Sequence, residues 1–331
     1  MISRSLFLLV VLCFTTSVSA QHLSDGNVPE GITVTRDIVY GEALVGKAGG
    51  GHLRNLVMDV YAPLGASKNS GGRAAVLMAF GGSFHRGDKG EGHFQEDGAH
   101  DSSMADYCRT FARRGYVCFS MEYRLTQENP VLAKPIDLEK LMPQSLAITP
   151  ATTARVDFSR QQMGLPALDD AGRDQFWRAI LAASEDMGTA IAHIQQHANK
   201  YGVDPDRLAI GGFSAGAITA INTAYGADAP VKAVVSISGS SWGYNLAATA
   251  KSGQPPLLVL VGQNDLPGVR GGSAQIAALF GLKGIKCDTA WVANFGHFYP
   301  MGAVSLAPDL TKLPVSERIL DFLDSNLQPT P

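Results

Sequence analysis

The segment Gly-Phe-Ser-Ala-Gly at residues 212–216 constrains the fold more than any other part of the sequence. It stands between a predicted strand at residues 208–211 and a predicted helix at residues 215–225. Glycines on both sides of Ser214 allow a sharp turn, because side chains at neighbouring positions would clash as the turn closes. The turn raises the serine hydroxyl above the sheet and places a helix N-terminus behind it, which favours negative charge. The pattern is common by chance, but between a strand and a helix it predicts a nucleophilic serine rather than an incidental one.

The rest of the chain alternates predicted strands with predicted helices. Strands are predicted at residues 32–40, 53–61, 74–80, 116–122, 208–211, 231–237, 256–261 and 287–292, and helices at residues 101–114, 173–201, 215–225, 273–282 and 315–327. This alternation predicts an α/β fold with a mostly parallel central sheet and helices on both faces. We expect one catalytic domain at residues 21–331.

Residues 125–172 interrupt the alternation. The segment is rich in proline and polar residues and has only weak periodicity. It is too long for a simple connection in a compact domain, which leaves a functional cap or a disordered excursion as its structure. We expect a cap-like insertion that covers the pocket and sets the length of chain it accepts.

A serine hydroxyl is a poor nucleophile without a base, and the sequence offers one good candidate for each partner. Asp265 follows the predicted strand at residues 256–261, and His297 follows the next strand along the chain. Catalytic groups of open α/β sheets collect at the carboxyl ends of the strands, so both are expected beside Ser214. The order serine, aspartate, histidine is the one that accompanies this type of serine turn. Asp309 is a fallback carboxylate, but it follows His297 and breaks that order.

The third predicted element is an oxyanion hole. Residues 80–84 directly follow the third strand, and two adjacent glycines there allow the backbone N–H groups to turn towards a substrate oxygen. We expect Gly82, Ser83 and Ala215 to supply these donors; a plain turn after a strand is the alternative. Loss of one such donor typically lowers the rate by about 10²–10³.

Three segments resemble one known family. Residues 77–89 (Leu-Met-Ala-Phe-Gly-Gly-Ser-Phe-His-Arg-Gly-Asp-Lys) resemble the His-Gly-Gly-Gly-Trp…Gly-Asp-Lys segment of bacterial carboxylesterases with the α/β-hydrolase fold. Residues 123–125 resemble the Tyr-Arg-Leu after that family's fourth strand, and residues 201–217 resemble its approach to the catalytic serine. The feruloyl-esterase-like and hormone-sensitive-lipase-like branches are the most similar.

The resemblance covers residues 50–325 apart from the insertion. It implies the α/β-hydrolase fold, a serine-esterase mechanism and no cofactor. The sequence departs from the family at two positions, where Phe80 replaces a histidine and Ser83 replaces a glycine. Both lie in the oxyanion loop.

Side chains near the predicted site are candidate substrate contacts. Phe84 in the oxyanion loop and Trp242 after the strand at residues 231–237 are candidates for an aromatic wall, or for simple packing beneath the cap. His85 and Arg86 are candidates for contact with an acidic substrate group, or for a structural role in the loop.

Two further histidines have a spacing that can bind metal. His193 and His197 lie four residues apart on a predicted helix, but Ile194 occupies the position of the usual glutamate. A solvated helix face is the better interpretation, and no metal site is predicted.

The first residues predict export. A positive start, an apolar run at residues 6–14 and small residues at 18–20 indicate a signal peptide at residues 1–20. The run is far shorter than the roughly 20 residues that span a bilayer, so we expect a secreted or periplasmic protein without a membrane anchor. The remaining cysteines are Cys108, Cys118 and Cys287. The first two form a disulfide or stay as buried thiols, and Cys287 is expected to be a free buried thiol.

The sequence therefore predicts a secreted serine carboxylic-ester hydrolase acting through Ser214, His297 and Asp265. A serine peptidase or amidase on the same triad and a non-catalytic binding protein are the alternatives. With 27 basic and 30 acidic residues, the net charge of −3 does not favour nucleic acid as a partner. A small-molecule or polymer-linked ester is the expected substrate.

Overall fold

The computed structural model describes residues 31–46, 50–65, 71–96 and 98–328. The predicted signal peptide at residues 1–20 lies outside the described residues. Among those described, no helix is long and apolar enough to cross a membrane.

The described residues form one large mixed sheet and a small hairpin. The strands are β1 (Ile32–Val45), β2 (His52–Pro63), β3 (Arg73–Ala79), β4 (Gln95–Glu96), β5 (Ala99–His100), β6 (Val117–Met121), β7 (Val203–Phe213), β8 (Ala233–Ile237), β9 (Leu257–Gly262), β10 (Cys287–Val292), β11 (Val304–Leu306) and β12 (Lys312–Pro314). The large sheet has the order β1-β2-β6-β3-β7-β8-β9-β10-β11-β12, and β4 pairs with β5. Strands from β6 to β10 in this order run parallel, whereas both ends of the sheet are antiparallel. The predicted mostly parallel sheet is thus confirmed.

Nine helices accompany the strands in the described part of the chain. They are α1 (Met104–Arg113), α2 (Gln144–Ala147), α3 (Pro150–Gln162), α4 (Asp170–Gln196), α5 (Ala198–Tyr201), α6 (Ala215–Ile221), α7 (Leu246–Thr249), α8 (Pro267–Lys283) and α9 (Val315–Asn326). The helix predicted at residues 215–225 is α6 followed by a π-type turn at Asn222–Gly226. Short strands β4, β5, β11 and β12 were not predicted, because two or three residues are too few for a periodic signal.

The centre of the sheet is buried on both faces, as its continuous apolar runs predict. Every residue of β8 and β9 is buried, and β3 is buried from Ala74 onwards. Helix α6 packs closely on this layer: a Cβ at Gly216 would lie 2.0 Å from the carbonyl oxygen of Ala79. This close approach fixes the start of α6, and with it the serine that precedes the helix.

The segment between β6 and α4 is folded and helical. It contains two single-turn helices, Thr126–Glu128 and Leu138–Lys140, followed by α2 and α3. Thr149 caps α3 through a reciprocal pair of hydrogen bonds with Thr152. The backbone N–H of Met142 donates to the carbonyl oxygen of Gly243 at 2.9 Å, which joins the segment to the loop after β8. We call residues 125–169 the cap segment.

The three cysteines that the structure describes divide as one pair and one free thiol. Cys108 on α1 and Cys118 on β6 form a disulfide, with their Cα atoms 5.0 Å apart. Cys287 is free, but it is only partly buried. The expected free thiol is confirmed, but it is less buried than expected, because β10 has only β11 and β12 beyond it at this side of the sheet.

Candidate active site

Ser214 occupies the turn between β7 and α6. Its backbone has φ 52° and ψ −113°, a left-handed conformation that costs a non-glycine residue free energy. The turn is held because the Ser214 N–H donates to the carbonyl oxygen of Ile237 at 2.8 Å and its own carbonyl accepts from Ile218 at 3.0 Å. The neighbouring strand β8 and the first turn of α6 therefore impose the strained geometry that the glycines at residues 212 and 216 permit.

His297 lies in the loop after β10 and faces Ser214. Its Nε2 is 2.9 Å from the Ser214 Oγ. Its ring packs against those of Phe213 and Phe298, with centroids 5.2 Å and 5.1 Å away. The residue is 9% exposed, so the imidazole is held in one orientation at the edge of solvent.

Asp265 lies in the loop after β9 and completes the chain of hydrogen bonds. Its Oδ1 is 2.7 Å from the His297 Nδ1 and accepts from the N–H of Leu266 at 2.7 Å. Its Oδ2 accepts from the Ser238 hydroxyl at 2.6 Å and from the N–H of Gly262 at 3.2 Å. The carboxylate is buried, and these donors satisfy the charge that burial would otherwise disfavour.

Ser238 and Tyr299 are two site residues that sequence reasoning missed. Ser238 follows β8 with φ 50°, and its hydroxyl lies 2.9 Å from that of Tyr299. The Tyr299 hydroxyl also lies 3.2 Å from the carbonyl oxygen of Leu260. The signal for Ser238 was its place at the carboxyl end of a buried strand, the same logic that selected Asp265.

This geometry defines a direction for proton transfer. With the Nδ1 proton of His297 donated to Asp265, Nε2 is left as an acceptor for the Ser214 hydroxyl. The arrangement can raise the nucleophilicity of Ser214, because the base beside it can take its proton during attack. Asp309, the fallback carboxylate, accepts instead from Thr311 in its own loop.

The predicted oxyanion donors adjoin the same cavity. Gly82 has φ 114° and Ser83 has φ 57°, and the Gly82 carbonyl accepts from the N–H groups of His85 and Arg86. Among the hydrogen bonds of the described residues, none uses the N–H groups of Gly82, Ser83 or Ala215. All three residues line the cavity that contains Ser214 and His297. These N–H groups are therefore free to bind a substrate oxygen.

Phe80 and Ser83, the two loop positions that differ from the pattern the sequence resembles, have structural partners. Phe80 is buried and stacks on Tyr123 at a centroid distance of 4.4 Å, and the Tyr123 hydroxyl donates to the Phe80 carbonyl at 2.8 Å. The Ser83 hydroxyl lies 3.1 Å from that of Ser159 on α3. Thr126 also donates through its N–H to the Phe84 carbonyl at 2.8 Å. The loop is thus fixed from the core and from the cap segment.

A cavity of about 610 Å³ opens above these groups. Phe84 and Trp242, the two predicted substrate contacts, both line it, and Phe176 packs edge-on between them at 6.0 Å and 5.2 Å. The Trp242 Nε1 donates to the carbonyl oxygen of Ala147, so the aromatic wall is also joined to the cap segment. The cap side of the wall comprises Met142, Leu146, Ala147, Ala151, Thr152, Ala154, Arg155, Val156 and Ser159.

His85 has a structural role in this arrangement. Burial and the charge of Arg160 lower the pKa of His85 to about 4, although the hydrogen bond to the Ser83 backbone opposes this shift. The ring Nδ1 lies 2.7 Å from the Ser83 carbonyl oxygen, and Nε2 lies 3.0 Å from the Arg160 guanidinium. His85 therefore remains neutral at pH 7 and links the oxyanion loop to α3. It is not among the residues that line the cavity.

Comparison with solved structures gives the fold. Thermogutta terrifontis esterase 2 phosphonylated by sarin superposes with a TM-score of 0.54 and 17% identity, over 92% of this chain and 96% of that chain. The propionate-bound form of this esterase has a TM-score of 0.53 and 17% identity, over 92% and 98% of the two chains. The chain has the α/β-hydrolase fold. A family model described as BD-FAE matches residues 177–229, which run from within α4 through the turn at Ser214 to residues just beyond α6. No curated protein matches the sequence significantly.

The histidine pair elsewhere on the α/β-hydrolase domain is not arranged as a metal site. The rings of His193 and His197 stack at 4.2 Å, and the His193 Nε2 lies 2.9 Å from the Tyr201 hydroxyl. In the part of the chain that the structure describes, no group of three or more histidine, cysteine, aspartate or glutamate side chains is placed to hold a metal ion.

Proposed function

We propose that this protein is an exported serine carboxylesterase. The observation that carries the proposal is the continuous hydrogen-bonded chain from Ser214 through His297 to Asp265, with distances of 2.9 Å and 2.7 Å. The strained turn at Ser214 supports it, because strain of this kind persists where the surrounding structure and function require it.

In the proposed reaction, Ser214 Oγ attacks the ester carbonyl carbon while His297 Nε2 takes the hydroxyl proton. The carbonyl oxygen becomes negative and accepts hydrogen bonds from the backbone of Ala215 and of the Gly82–Ser83 segment. His297 then gives its proton to the departing alkoxide, which leaves as an alcohol. The acyl group remains on Ser214.

Water completes the cycle by the same route. His297 removes a proton from water as its oxygen attacks the acyl carbon, and returns that proton to Ser214 as the acid leaves. Asp265 holds the imidazole in the correct tautomer and stabilises its positive form. No redox group is needed for either step.

Export is supported by two independent observations. The sequence at residues 1–20 has the pattern of a signal peptide. The Cys108–Cys118 disulfide is of the kind that forms and persists in oxidising compartments.

The decisive experiment is labelling of the mature protein with a fluorescent fluorophosphonate, beside hydrolysis of p-nitrophenyl acetate through decanoate. We expect wild type to be labelled and active and Ser214→Ala to be neither. Undiminished labelling of Ser214→Ala, or no labelling of wild type, would overturn the proposal. Matched p-nitroanilides test the peptidase or amidase alternative, because an amidase would cleave them at rates comparable with the esters.

A further inference from the structure

The cavity that contains Ser214 has apolar walls and two positive side chains. Phe94, Phe298, Trp242 and the aliphatic residues of the cap segment supply apolar surface. Arg86 and Arg155 are the lysine or arginine side chains among the lining residues that the structure describes. The two differ in whether a negative partner accompanies them.

Arg155 is neutralised within the protein. Its Nη1 and Nη2 donate to the two carboxylate oxygens of Glu96 at 2.8 Å and 2.6 Å, a bidentate ion pair between α3 and the β4–β5 hairpin. This hydrogen bonding lowers the pKa of Glu96, which keeps the pair charged on both sides. Arg155 therefore contributes shape and little net charge to the cavity.

Arg86 has no such partner. Among the ion pairs of the described residues, none includes Arg86. Its Nη2 donates to the neutral amide oxygen of Gln162 at 2.9 Å, and its Nε is buried without a hydrogen-bond partner. Burial lowers the pKa of Arg86 and the nearby charge of Arg155 lowers it further, whereas the charge of Glu96 partly opposes both effects. Arginine remains charged at neutral pH, so a cation without an ion-pair partner of its own lines the cavity.

The position of Arg86 is fixed relative to the oxyanion loop. Its N–H donates to the Gly82 carbonyl at 3.2 Å, and a Cβ at Gly82 would lie 2.0 Å from the Arg86 carbonyl oxygen. Its guanidinium lies over the Phe94 ring, 4.8 Å from the centroid. The guanidinium is thus held between the Phe94 ring and the Gln162 side chain, and it has further N–H groups without a hydrogen-bond partner among the described residues. Such an arrangement suits an anion, because a guanidinium presents paired donors that match a carboxylate.

We propose that Arg86 forms a carboxylate subsite, so that the preferred substrates are esters that carry a free carboxylate away from the ester bond being cleaved. The inference rests on the proposed esterase function, since the subsite lies in the cavity of that reaction. The walls select an apolar body, and Arg86 selects a negative end. Arg86 is here a specificity-determining residue that contacts substrate and takes no part in proton transfer.

The test compares neutral and carboxylated esters of similar size. p-Nitrophenyl butyrate is paired with the mono-p-nitrophenyl esters of succinate and glutarate, which place the charge on the acyl side. Phenyl butyrate is paired with 4-butyryloxybenzoate, which places it on the alcohol side. We expect wild type to have the higher kcat/KM for the carboxylated member of at least one pair, and raising the salt concentration to reduce that preference.

Three variants complete the experiment. Arg86→Gln should lower kcat/KM for the preferred carboxylated ester by about tenfold, the equivalent of about 1.4 kcal/mol, with the neutral ester changed less than threefold. Arg86→Lys should retain part of the preference. Arg270→Gln removes the same charge from the exposed face of α8, next to lining residues but outside the cavity, and should leave the preference unchanged.

The outcomes separate the two proposals. If wild type cleaves neutral esters but has no salt-sensitive preference for carboxylated ones, or if Arg86→Gln leaves the ratio unaltered, the subsite is overturned and the esterase stands. If wild type cleaves neither class and is not labelled by the fluorophosphonate, both are overturned. Activity of Arg86→Gln on the neutral ester shows that the variant is folded, and Arg86→Lys serves the same purpose if that variant is unstable.

Discussion

The hydroxyls of Ser83 and Ser159 lie 3.1 Å apart and join the oxyanion loop to helix α3 of the cap segment. Ser159 is almost fully buried, and its hydroxyl also lies 3.2 Å from the carbonyl oxygen of Arg155, one turn earlier. Ser83 has a left-handed backbone, a conformation that needs support from its surroundings. The cap segment therefore contributes to the geometry of the loop as well as to the wall of the cavity.

Ser159→Ala should lower kcat about fivefold with a smaller change in KM. The lost hydrogen bond is worth about 1 kcal/mol and acts on the backbone that binds the transition-state oxygen. Steady-state kinetics with a neutral p-nitrophenyl ester measure the effect, and Ser159→Thr should restore much of it. A purely structural role would be indicated if Ser159→Ala lowered thermal stability together with kcat and Ser159→Thr restored neither.

Ser238→Ala should lower kcat/KM about tenfold without loss of the fold. The Ser238 hydroxyl donates to the buried Asp265 carboxylate, and hydrogen bonds to charged groups are worth about 1.5–3 kcal/mol. The matched control is Ser236→Ala on β8, the strand that Ser238 follows, because the Ser236 Oγ is buried without a partner. We expect the control to keep wild-type kinetics; comparable losses in both variants would contradict a positioning role for Ser238.

Asp101→Asn should raise the free energy of unfolding above that of wild type by more at pH 8 than at pH 5. Burial raises the pKa of Asp101 from its ordinary value of 3.8 to about 7, opposed in part by the Phe94 N–H and by His93 and His100. Between the pH values of 3.8 and about 7, the Asp101 carboxyl has lost its proton in the unfolded chain but keeps it in the folded protein. The wild-type free energy of unfolding therefore falls as pH rises from about 4 to about 7, and the fall is complete above that range.

Asparagine removes this dependence, because it is neutral at every pH and its Oδ1 can still accept from Phe94. Urea denaturation at pH 5 and pH 8 gives the two free energies. The gain of Asp101→Asn over wild type should be larger at pH 8. A gain that is independent of pH, or larger at pH 5, would refute the assignment.

Loss of the Cys108–Cys118 disulfide should lower the thermal midpoint. The bond closes a loop with a sequence separation of 10 residues, for which chain entropy gives roughly 2–3 kcal/mol. The double variant Cys108→Ala/Cys118→Ala should melt lower than wild type, and a reducing agent should destabilise wild type but not the variant. Cys287→Ala is the control with an intact disulfide, and its sensitivity to reductant should match that of wild type.

The triad was accessible to sequence reasoning because each member follows a strand that the sequence predicts. The carboxyl ends of parallel strands meet at one edge, so position along the chain translates into proximity. Ser238 follows the same rule, but a serine after a strand has many possible roles. Its contact with Asp265 depends on β8 and β9 being neighbours, which is a property of sheet order.

The cap segment was less predictable for a physical reason. Helix α3 exposes residues such as Phe158 and buries small polar ones such as Ser159, so its sequence lacks a clear apolar stripe. Its hydrogen bonds to Ser83 and its ion pair with Glu96 join positions more than 50 residues apart. No local sequence pattern encodes such long-range contacts, and the role proposed for Arg86 depends on them.

The cap segment leaves the sheet after β6 and rejoins the domain at the start of α4, whereas the triad follows β7, β9 and β10. One uninterrupted stretch of the gene thus encodes the cap side of the cavity wall, whereas the stretches before and after it encode the oxyanion loop with Arg86 and the triad. Selection can alter or exchange the former while the latter are inherited intact, provided the contacts with Ser83 and Gly243 are kept. In lineages with this architecture, new substrate ranges can therefore arise by recombination at two points instead of by gradual change throughout the chain.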